Sequence, residues 1–533
     1  MSATQTGRWW DGAVIYQVYP RSFRDGNGDG IGDLVGIRDS LDHLSGTDAS
    51  LGVDALWLSP IFPSPLADFG YDISDYTGVA PEYGSLDDLD ELIAACHERG
   101  LRLLMDLVPC HTSAEHPWFA ESRSSRENPK RDWYIWADPT AAGGPPSNWD
   151  AVFGGSSWEW DASSGQFYLH TFYPEQPDLN WRNRRVAEAM AEVMRFWFRR
   201  GVDGFRVDAI FAAVKDRLLR NNPPLSRAHH IPGLGTAEGG KDPLWSMNRP
   251  EVHDVVRGLR RVADEFPGRV LVGETYLPVE ELARYLGDGR DDEFHLTFDF
   301  ELLHSPWEHQ HLTLAIERAE ALHPPGIWPT YAISNHDQPR HATRWGPKRA
   351  RAAAFLLLTL RGVAVLYAGE ELGMADADPD LLPTPPFDRA GRDACRTPMQ
   401  WDPSPTGGFT TGTPWLPLVD AATRNVADQA RDAGSLLSLY RRLIAARRSS
   451  RALGRGTHRS IFGVAPDILA WVREADGEQV VVLLNLADEV RDCDLGEIGV
   501  PAGTVVVGTG TRHGAVALDH LRLEPLEGLA IGI

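Results

Sequence analysis

The sequence predicts an α/β protein: a (β/α)8 TIM barrel with a small inserted domain after strand 3 and a C-terminal antiparallel β domain. Three observations lead to this prediction. Eight short runs of apolar, β-branched or aromatic residues recur along the chain, and amphipathic helical patterns separate them. A long segment rich in Trp, Pro, Gly and Ser interrupts the alternation once, and short alternating runs occupy the end of the chain.

The eight apolar runs are the predicted barrel strands. In a (β/α)8 barrel the catalytic groups come from the C-terminal ends of the strands, and polar residues fall late in several of these runs. The runs are "VIYQVYP" from Val14, "DALWLSPIF" from Asp54, "RLLMDLVP" from Arg102, "GFRVDAI" from Gly204, "RVLVGETY" from Arg269, "LTFDFEL" from Leu296, "PTYAISNHD" from Pro329 and "VAVLYAGEE" from Val363.

Two of the intervening helices have clear end signals. In "SLDDLDELIAACHERG", Ser85 and Asp88 form a capping box and Gly100 ends the helix. The segment "VAEAMAEVMRFWFRRG" has the same apolar periodicity and ends at Gly201. These helices are the predicted crossovers between parallel strands.

Two breaks in the alternation divide the chain into domains. Residues 111–177 contain no long helical pattern and are far longer than an ordinary βα loop, which predicts an inserted domain. Residues 454–533 carry the runs "SIFGVA", "ILAWVREA", "EQVVVLLNLA" and "GTVVVGTG", which predict a C-terminal β-sandwich domain. Residues 1–110 and 178–453 then form the barrel.

Composition excludes several classes of partner. The chain has 52 basic and 75 acidic residues, for a net charge of −23, which argues against nucleic acid because phosphates require clustered Lys and Arg. The apolar stretch "AAAFLLLTLRGVAVLYAG" is broken by Arg361 and Gly362, so no membrane helix is expected. We also expect no secretory signal, a cytoplasmic location, and a monomer or homodimer.

The four cysteines suggest free thiols in a reducing compartment. Cys96, Cys110, Cys395 and Cys493 lie far apart and include no C-x-x-C pair. Neither a disulfide framework nor a zinc site is therefore indicated.

Carboxylates at three predicted strand ends point to catalysis. In "GVDGFRVDAI", Arg206 and Asp208 are two residues apart and project to the same side of a strand that is otherwise suited to burial. "GETY" contributes Glu274, and "SNHD" contributes Asp337. One such group alone suggests a salt bridge or a cap, but three at equivalent positions of one barrel suggest an active site.

These motifs, in this order, resemble the α-amylase superfamily of glycoside hydrolases, and in particular its α-glucosidase and oligo-1,6-glucosidase branch. The resemblance runs from "WWDGAVIYQVYPRSF" through "GRDACRTPMQW" to the C-terminal domain. It implies that Asp208 is the nucleophile, Glu274 the general acid/base and Asp337 the stabiliser of the transition state. Arg206 is expected to lower the pKa of Asp208, whereas Glu274 needs burial or a neighbouring carboxylate to hold its proton.

The resemblance also implies a sugar-binding pocket. An aromatic platform surrounded by acids and Arg suits a glucose ring, which has apolar faces and a belt of hydroxyls. Phe172 has the alternative role of packing the inserted domain. The implied substrate-binding residues are Asp68, Tyr71, His111, Phe172, Arg206, Ala209, His336 and Arg392.

The loop "DGNGDGIGDL" is a candidate site for a structural Ca²⁺ or Mg²⁺ ion. Oxygen donors recur at Asp25, Asn27, Asp29 and Asp33, with the carbonyl of Ile31 between them. The loop is not an EF-hand, because its twelfth position is Gly36 instead of Glu. It resembles the metal-binding loop of the glucosidase branch, and a plain Gly/Asp turn is the alternative. No cofactor is expected for catalysis.

One position departs from the family pattern. The residue before the active-site His111 is usually Asn, and here it is Cys110. That Asn typically orients neighbouring groups or binds metal. Its replacement therefore leaves open how the groups around the active site are held.

The resulting prediction is an exo-acting, retaining α-glucosidase that releases glucose from the non-reducing end of short α-glucosides and also transglycosylates. In this branch the residue after the nucleophile tends to be Val in enzymes that prefer α-1,6 bonds, so Ala209 favours α-1,4-linked, maltose-type substrates. The alternatives are an oligo-1,6-glucosidase and a glucosyltransferase or sucrose isomerase with the same chemistry. A catalytically silent relative is disfavoured, because the three acids are present.

Overall fold

Eight parallel strands close into a barrel in the computed structural model, which describes residues 7–225, 240–323, 326–495 and 500–533. Each of the eight runs predicted from the sequence contains one of them. The residues 226–239 of the predicted barrel and 496–499 of the predicted C-terminal domain lie outside the described ranges. The barrel strands are β1 (Val14–Val18), β2 (Ala55–Leu58), β3 (Arg102–Leu107), β7 (Gly204–Val207), β8 (Val270–Gly273), β9 (Leu296–Asp299), β10 (Thr330–Ala332) and β11 (Val363–Tyr367).

Helices cover the outside of the barrel, and their ends follow the sequence signals. Ser85 and Asp88 form the predicted capping box, and Gly201 ends its helix in the left-handed conformation with φ 107°. The described helices are α1 (Leu34–Arg38), α2 (Leu41–Leu44), α3 (Leu86–Glu98), α4 (Pro117–Ser124), α5 (Arg184–Arg200), α6 (Val252–Asp264), α7 (Val279–Leu282), α8 (Glu301–His304), α9 (His309–Leu322), α10 (His341–Arg344), α11 (Ala350–Thr359), α12 (Val426–Arg431), α13 (Leu436–Ser449) and α14 (Arg451–Arg455).

The segment between β3 and α5 forms a small unit above the barrel. It contains α4 and a three-stranded antiparallel sheet in the order β4, β6, β5, with β4 at Trp136–Ala137, β5 at Trp158–Asp161 and β6 at Gln166–Leu169. It lies where the sequence predicts an insertion after strand 3.

The C-terminal segment contains two antiparallel sheets. One has six strands in the order β12, β13, β14, β19, β16, β17, the other pairs β15 with β18, and an apolar cluster includes residues of both, such as Val481 and Leu523. The strands are β12 (Thr457–Ser460), β13 (Ile468–Ala475), β14 (Glu478–Asn485), β15 (Arg491–Cys493), β16 (Ala502–Gly508), β17 (Gly514–Ala517), β18 (Leu521–Leu523) and β19 (Gly528–Gly532).

One predicted strand is displaced. The run "SIFGVA" contributes only Ser460 to β12, and the following residues form the connection to β13. Gly463 and Pro466 favour a turn there, and Phe462 is 66% exposed. The alternating pattern therefore places this strand several residues too late.

The four cysteines are free and buried. Within the described ranges, no helix is both long enough and apolar enough to cross a membrane.

Candidate active site

A cavity of about 140 Å³ lies at the C-terminal end of the barrel strands. It is smaller than the roughly 300–1,000 Å³ typical of pockets for drug-sized ligands, so it suits a single sugar ring. Its walls come from the barrel, the inserted segment and the loop after β11. The lining residues are Asp68, Tyr71, His111, Val152, Phe153, Phe172, Asp208, Ala209, Phe211, Glu274, Tyr276, Asp337, Gln338 and Arg392.

Arg206 lies at the centre of the site. Its Nη1 atom is 2.5 Å from Asp208 Oδ1 and 3.5 Å from Asp106 Oδ1, and its Nη2 atom contacts Glu274 Oε1. Asp106 on β3 and Arg206 on β7 are partners in the parallel register, which explains why their side chains meet. One buried guanidinium thus faces three carboxyl groups.

Burial raises the pKa of both Asp208 and Glu274. Burial is the largest cause for each group, and it raises the pKa of Glu274 to about 8 and that of Asp208 to about 7 against the opposing charge of Arg206. Neighbouring carboxylates add to both shifts. Arg206 lowers the pKa of Asp208, as the sequence predicts, but burial outweighs the cation and the net pKa is raised.

The pKa of Glu274 depends on the ionisation of Asp208, because the negative charge of Asp208 raises it. Asp106, Asp208 and Glu274 share one cation, which favours a proton on one of the three carboxyl groups. Glu274 has a higher pKa than Asp106 or Asp208, so it is the group that keeps the proton. The arrangement therefore favours a protonated Glu274 beside an ionised Asp208. These are the states that a general acid and a nucleophile require.

Asp337 is held ionised by two arginines. Its Oδ1 atom accepts hydrogen bonds from Arg392 Nη1 at 3.0 Å and from Arg396 Nη2 at 3.1 Å. Burial alone would raise the pKa of Asp337, but the two guanidinium groups, and His336 where acid protonates its imidazole, outweigh burial and hold this pKa well below its usual range. Asp337 can therefore offer a charged acceptor to the pocket.

Asp68 and Arg392 close one end of the pocket. Arg392 Nη2 lies 2.5 Å from Asp68 Oδ1, and Asp388 fixes the same guanidinium through Nε at 2.8 Å. Gln176 of the inserted segment donates a hydrogen bond of 3.0 Å to Asp68 Oδ2. Chain segments far apart in the sequence therefore meet to form this wall.

Tyr71 and His336 form a stacked pair beneath the pocket. Their rings lie 5.5 Å apart at an interplanar angle of 11°. Gln17 Nε2 donates to His336 Nδ1 at 2.7 Å, so the ring proton lies on Nε2, which is 2.6 Å from the Tyr71 hydroxyl. Burial lowers the pKa of His336 to about 3, and the imidazole is neutral. The Tyr71 hydroxyl in turn donates to Asp106 at 2.8 Å.

Aromatic residues of the inserted segment cover the pocket. The Phe172 ring lies 5.2 Å from His111 and 5.9 Å from Phe153, and all three line the cavity. The guanidinium of Arg392 lies 5.5 Å from the centre of the Phe153 ring. Phe172 therefore belongs to the pocket wall as well as to the packing of the inserted segment.

Ala209 has an unusual backbone. It lies in the left-handed region with φ 41°, although it carries a Cβ atom, and such residues are uncommon there. Its N–H group donates to Glu274 Oε2 at 3.0 Å. The peptide that follows the candidate nucleophile thus binds the candidate acid directly.

A family model described as "Alpha amylase, catalytic domain" matches residues 17–456. The chain belongs to the alpha-amylase family. The resemblance stated from the sequence motifs is confirmed, and the closed parallel barrel with a C-terminal antiparallel sheet domain is the predicted fold.

Individual alpha-amylase family members are similar to the chain over most of its length. A probable alpha-glucosidase of Rhizobium meliloti (strain 1021) is 43% identical, with 91% of both chains covered. An oligo-1,6-glucosidase of Heyndrickxia coagulans is 36% identical, with 91% of this chain and 93% of the relative covered. The crystal structure of the alpha-glucosyl transfer enzyme XgtA superposes with a TM-score of 0.89 at 41% identity and covers 98% of this chain and 99% of its own. Such relatives support glucoside hydrolysis or transfer.

The residues predicted from the alpha-amylase motifs converge on one cavity. Arg206 and His336 lie directly behind its wall, and the other nine predicted catalytic and substrate-binding residues line it. Tyr276 lines the cavity but was not predicted, although it lies two residues after Glu274 in the "GETY" motif. Phe153, which lines the cavity, and Gln176, which binds Asp68, were not predicted either, because the inserted segment gives no local signal for them. The individual roles stay predictions.

The side chains of the predicted metal loop accept hydrogen bonds from the backbone of the same loop. Asp25 accepts the backbone N–H groups of Asn27, Gly28 and Gly30 and the hydroxyl of Thr410. Asn27, Asp29 and Asp33 also accept N–H groups of the loop or the following helix, including that of Ile31. In the described part of the chain, no three His, Cys, Asp or Glu side chains form a metal-binding group. The N–H groups of the loop thus use part of the acceptor capacity of its side-chain oxygens, and metal binding stays a prediction.

Asp25→Ala should lower the free energy of unfolding by about 2 kcal/mol or more even in a chelator, because it removes four hydrogen bonds to a carboxylate. Melting curves of wild type and variant, each with calcium and with EDTA, measure this effect. An Asp25→Ala protein as stable as wild type in EDTA would contradict it. A wild-type melting temperature that rises with calcium would establish the predicted ion, and equal values would leave a hydrogen-bonded turn.

Proposed function

We propose that the protein is an exo-acting, retaining α-glucosidase that removes glucose from the non-reducing end of short α-glucosides. One observation carries the proposal: Asp208 and Glu274 contact the two terminal nitrogens of the same Arg206 guanidinium at a pocket sized for one sugar ring. Such a pairing brings the two carboxyl groups close together. Retaining glycosidases need a separation of roughly 5–5.5 Å, whereas inverting enzymes need room for a water molecule between the acids.

The proposed reaction has two steps. In the first, an oxygen of Asp208 attacks the anomeric carbon while Glu274 protonates the glycosidic oxygen, so the bond to the leaving sugar breaks and a glucosyl ester forms. In the second, Glu274 takes a proton from water, which attacks the anomeric carbon and releases Asp208. Asp337, held ionised by Arg392 and Arg396, supports the positive charge that develops on the ring.

The closed end of the pocket supports exo action. The ion pair of Asp68 and Arg392 spans that end, and Asp388 and Gln176 fix its members. A second sugar unit beyond this wall would have to break a buried ion pair. A terminal glucose is therefore the unit that the pocket accepts, and the charged wall supplies acceptors and donors for its hydroxyl groups.

The position of Ala209 supports a preference for α-1,4 bonds. Its small side chain lines the cavity beside Asp208 and leaves space next to the scissile bond. A larger residue there would narrow the acceptor side of the pocket.

Ala209→Val should shift the ratio of kcat/KM for isomaltose to that for maltose by about tenfold towards isomaltose, since two added methyl groups remove acceptor space. Ala209→Ser is the control, because Ser adds only one small atom to the Ala side chain, and it should keep the maltose preference. Glucose release from both disaccharides measures the ratio. An unchanged ratio in Ala209→Val would discredit this residue as the determinant.

The activity should fall as the pH rises past about 8. Glu274 must carry a proton to act as the acid, and its raised pKa of about 8 keeps that proton through neutral pH. Activity should also fall on the acid side, where Asp208 becomes protonated. The pH dependence of kcat/KM for p-nitrophenyl α-glucoside measures both limits. An alkaline limit near the ordinary carboxyl pKa would contradict the assignment of Glu274.

A panel of substrates tests the proposed function. We expect glucose release from maltose and maltotriose, weaker release from isomaltose, and α-glucose as the first product by NMR. Release of β-glucose would rule out the retaining mechanism. Exclusive activity on isomaltose would favour the alternative of an oligo-1,6-glucosidase.

A glucosyltransferase is the second candidate. The similar structure named as an alpha-glucosyl transfer enzyme favours it, because a sugar acceptor can intercept the same glucosyl ester in place of water. Concentrated maltose separates the two functions. Trisaccharides as the dominant product would indicate transfer, and glucose alone would indicate hydrolysis.

A further inference from the structure

The thiol of Cys110 lies directly behind the peptide of Ala209. Its Sγ atom is 2.9 Å from the Ala209 carbonyl oxygen, and the side chain is buried, with 1% of the residue exposed. The two residues are 99 positions apart in the chain. The contact joins the loop after β3 to the loop after β7, which carries Asp208.

Ala209 needs such a contact because of its backbone conformation. With φ 41° it lies in the left-handed region that L-residues rarely adopt, so neighbouring groups must hold it there. Its carbonyl accepts the N–H of Ala212 at 2.9 Å as well as the Cys110 thiol, and its own N–H binds Glu274 Oε2. The N–H and the carbonyl belong to the two peptides on either side of the Ala209 Cα, and its φ and ψ angles fix their relative directions. A change in these angles would therefore misdirect the N–H group that binds Glu274.

The backbone around Cys110 is fixed from the opposite side. The carbonyl of Cys110 accepts the N–H of Leu179 at 2.9 Å, and the carbonyl of Pro109 accepts the indole N–H of Trp181 at 2.7 Å. Burial raises the pKa of the Cys110 thiol well above its usual range, so the thiol keeps the proton that it donates. The thiol donor is thus anchored through its backbone and holds its proton more firmly than an exposed thiol.

We propose that Cys110 is a positioning residue for the acid Glu274. Its thiol anchors the Ala209 carbonyl and so stabilises the left-handed conformation of Ala209 that directs the Ala209 N–H at Glu274 Oε2. This inference rests on the proposed function only in that Glu274 acts as the acid. It assigns a specific task to the position at which the chain departs from the family pattern.

The hydrogen bond from Ala209 influences the proton on Glu274. An N–H donated to a carboxylate stabilises its ionised form, so this bond lowers the pKa of Glu274 against the effect of burial. Loss of the bond should therefore move the alkaline limit of activity to higher pH. The other titratable or charged groups that act on Glu274 from the surrounding elements are Arg206, Asp208, Asp106, Asp337, Tyr276 and Cys110 itself.

Cys110→Ala and Cys110→Ser, compared with wild type, test the proposal with p-nitrophenyl α-glucoside as the probe. Cys110→Ala should lower kcat by about three- to tenfold, as expected for the loss of one hydrogen bond that orients an acid, and should shift the alkaline limit upwards. Cys110→Ser keeps a donor and should restore both values towards wild type. Cys96→Ala removes another buried thiol, on α3, and should change neither.

A Cys110→Ala protein that is folded and has the wild-type kcat and alkaline limit would overturn the proposal. So would a Cys110→Ser protein that behaves like Cys110→Ala. If Cys110→Ala does not fold, Cys110→Val takes its place as the similar-sized variant without a donor. A wild-type protein inactive on every α-glucoside would instead refute the proposed function, so the two failures are distinguishable.

Discussion

Asp208→Asn should reduce the hydrolysis of p-nitrophenyl α-glucoside by about 10⁴-fold or more while the fold stays intact. The amide has the shape of the carboxyl group but cannot attack the anomeric carbon. It also removes one of three carboxyl groups around Arg206, so we expect a melting temperature equal to or above that of wild type. Steady-state kinetics and thermal unfolding measure the two effects.

Asp299→Asn is the matched control for this substitution. Asp299 is a buried acid at the end of strand β9, two strands from β7 in the barrel, and it does not line the cavity. Burial raises its pKa to about 7. Its replacement should leave activity near the wild-type level. Substantial turnover by Asp208→Asn, or an equal loss in Asp299→Asn, would contradict the assignment of the nucleophile.

Glu274→Gln should reduce maltose hydrolysis by about 10²–10⁴-fold, the usual contribution of a general acid. The loss should be smaller for a substrate with an activated leaving group, such as 2,4-dinitrophenyl α-glucoside, because such a group departs without a proton. Azide should then restore turnover, since this anion attacks the glucosyl ester without help from a base. Comparison of kcat for the two substrates, with and without azide, measures these effects.

The configuration of the azide product distinguishes the two acids. A retaining enzyme that lacks its acid/base should form α-glucosyl azide, because azide replaces water in the second step. Asp208→Ala should form the β-anomer, because azide then takes the place of the nucleophile. The opposite pattern would exchange the roles of Asp208 and Glu274.

The barrel and the position of its acids could be predicted because their signals are local. A buried parallel strand requires a short apolar run, and Glu274 and Asp208 directly follow such runs. The capping box of Ser85 and the left-handed Gly201 are likewise encoded within one turn of helix. Each of these features depends on residues that are close together in the sequence.

Features that depend on distant contacts could not be predicted in the same way. Phe153 and Gln176 reach the pocket only because the inserted segment packs over the barrel mouth. Arg206 lowers the pKa of Asp208 as expected, but the net pKa is raised, because it depends on burial and on charges from several loops that the adjacent residues do not reveal. The contact of Cys110 with Ala209 joins two loops that the sequence does not connect.

The left-handed backbone at position 209 limits how substrate preference can be engineered. The residues that would reshape the acceptor side of the pocket are bulky or β-branched, whereas the residues that tolerate a φ of 41° best are Gly, Asn and Asp. Few residues are therefore both bulky enough to reshape the pocket and able to adopt this backbone conformation. A change of linkage preference at this position should therefore lower thermal stability, and a library that varies residue 209 together with its neighbours should yield more useful variants than one that varies it alone.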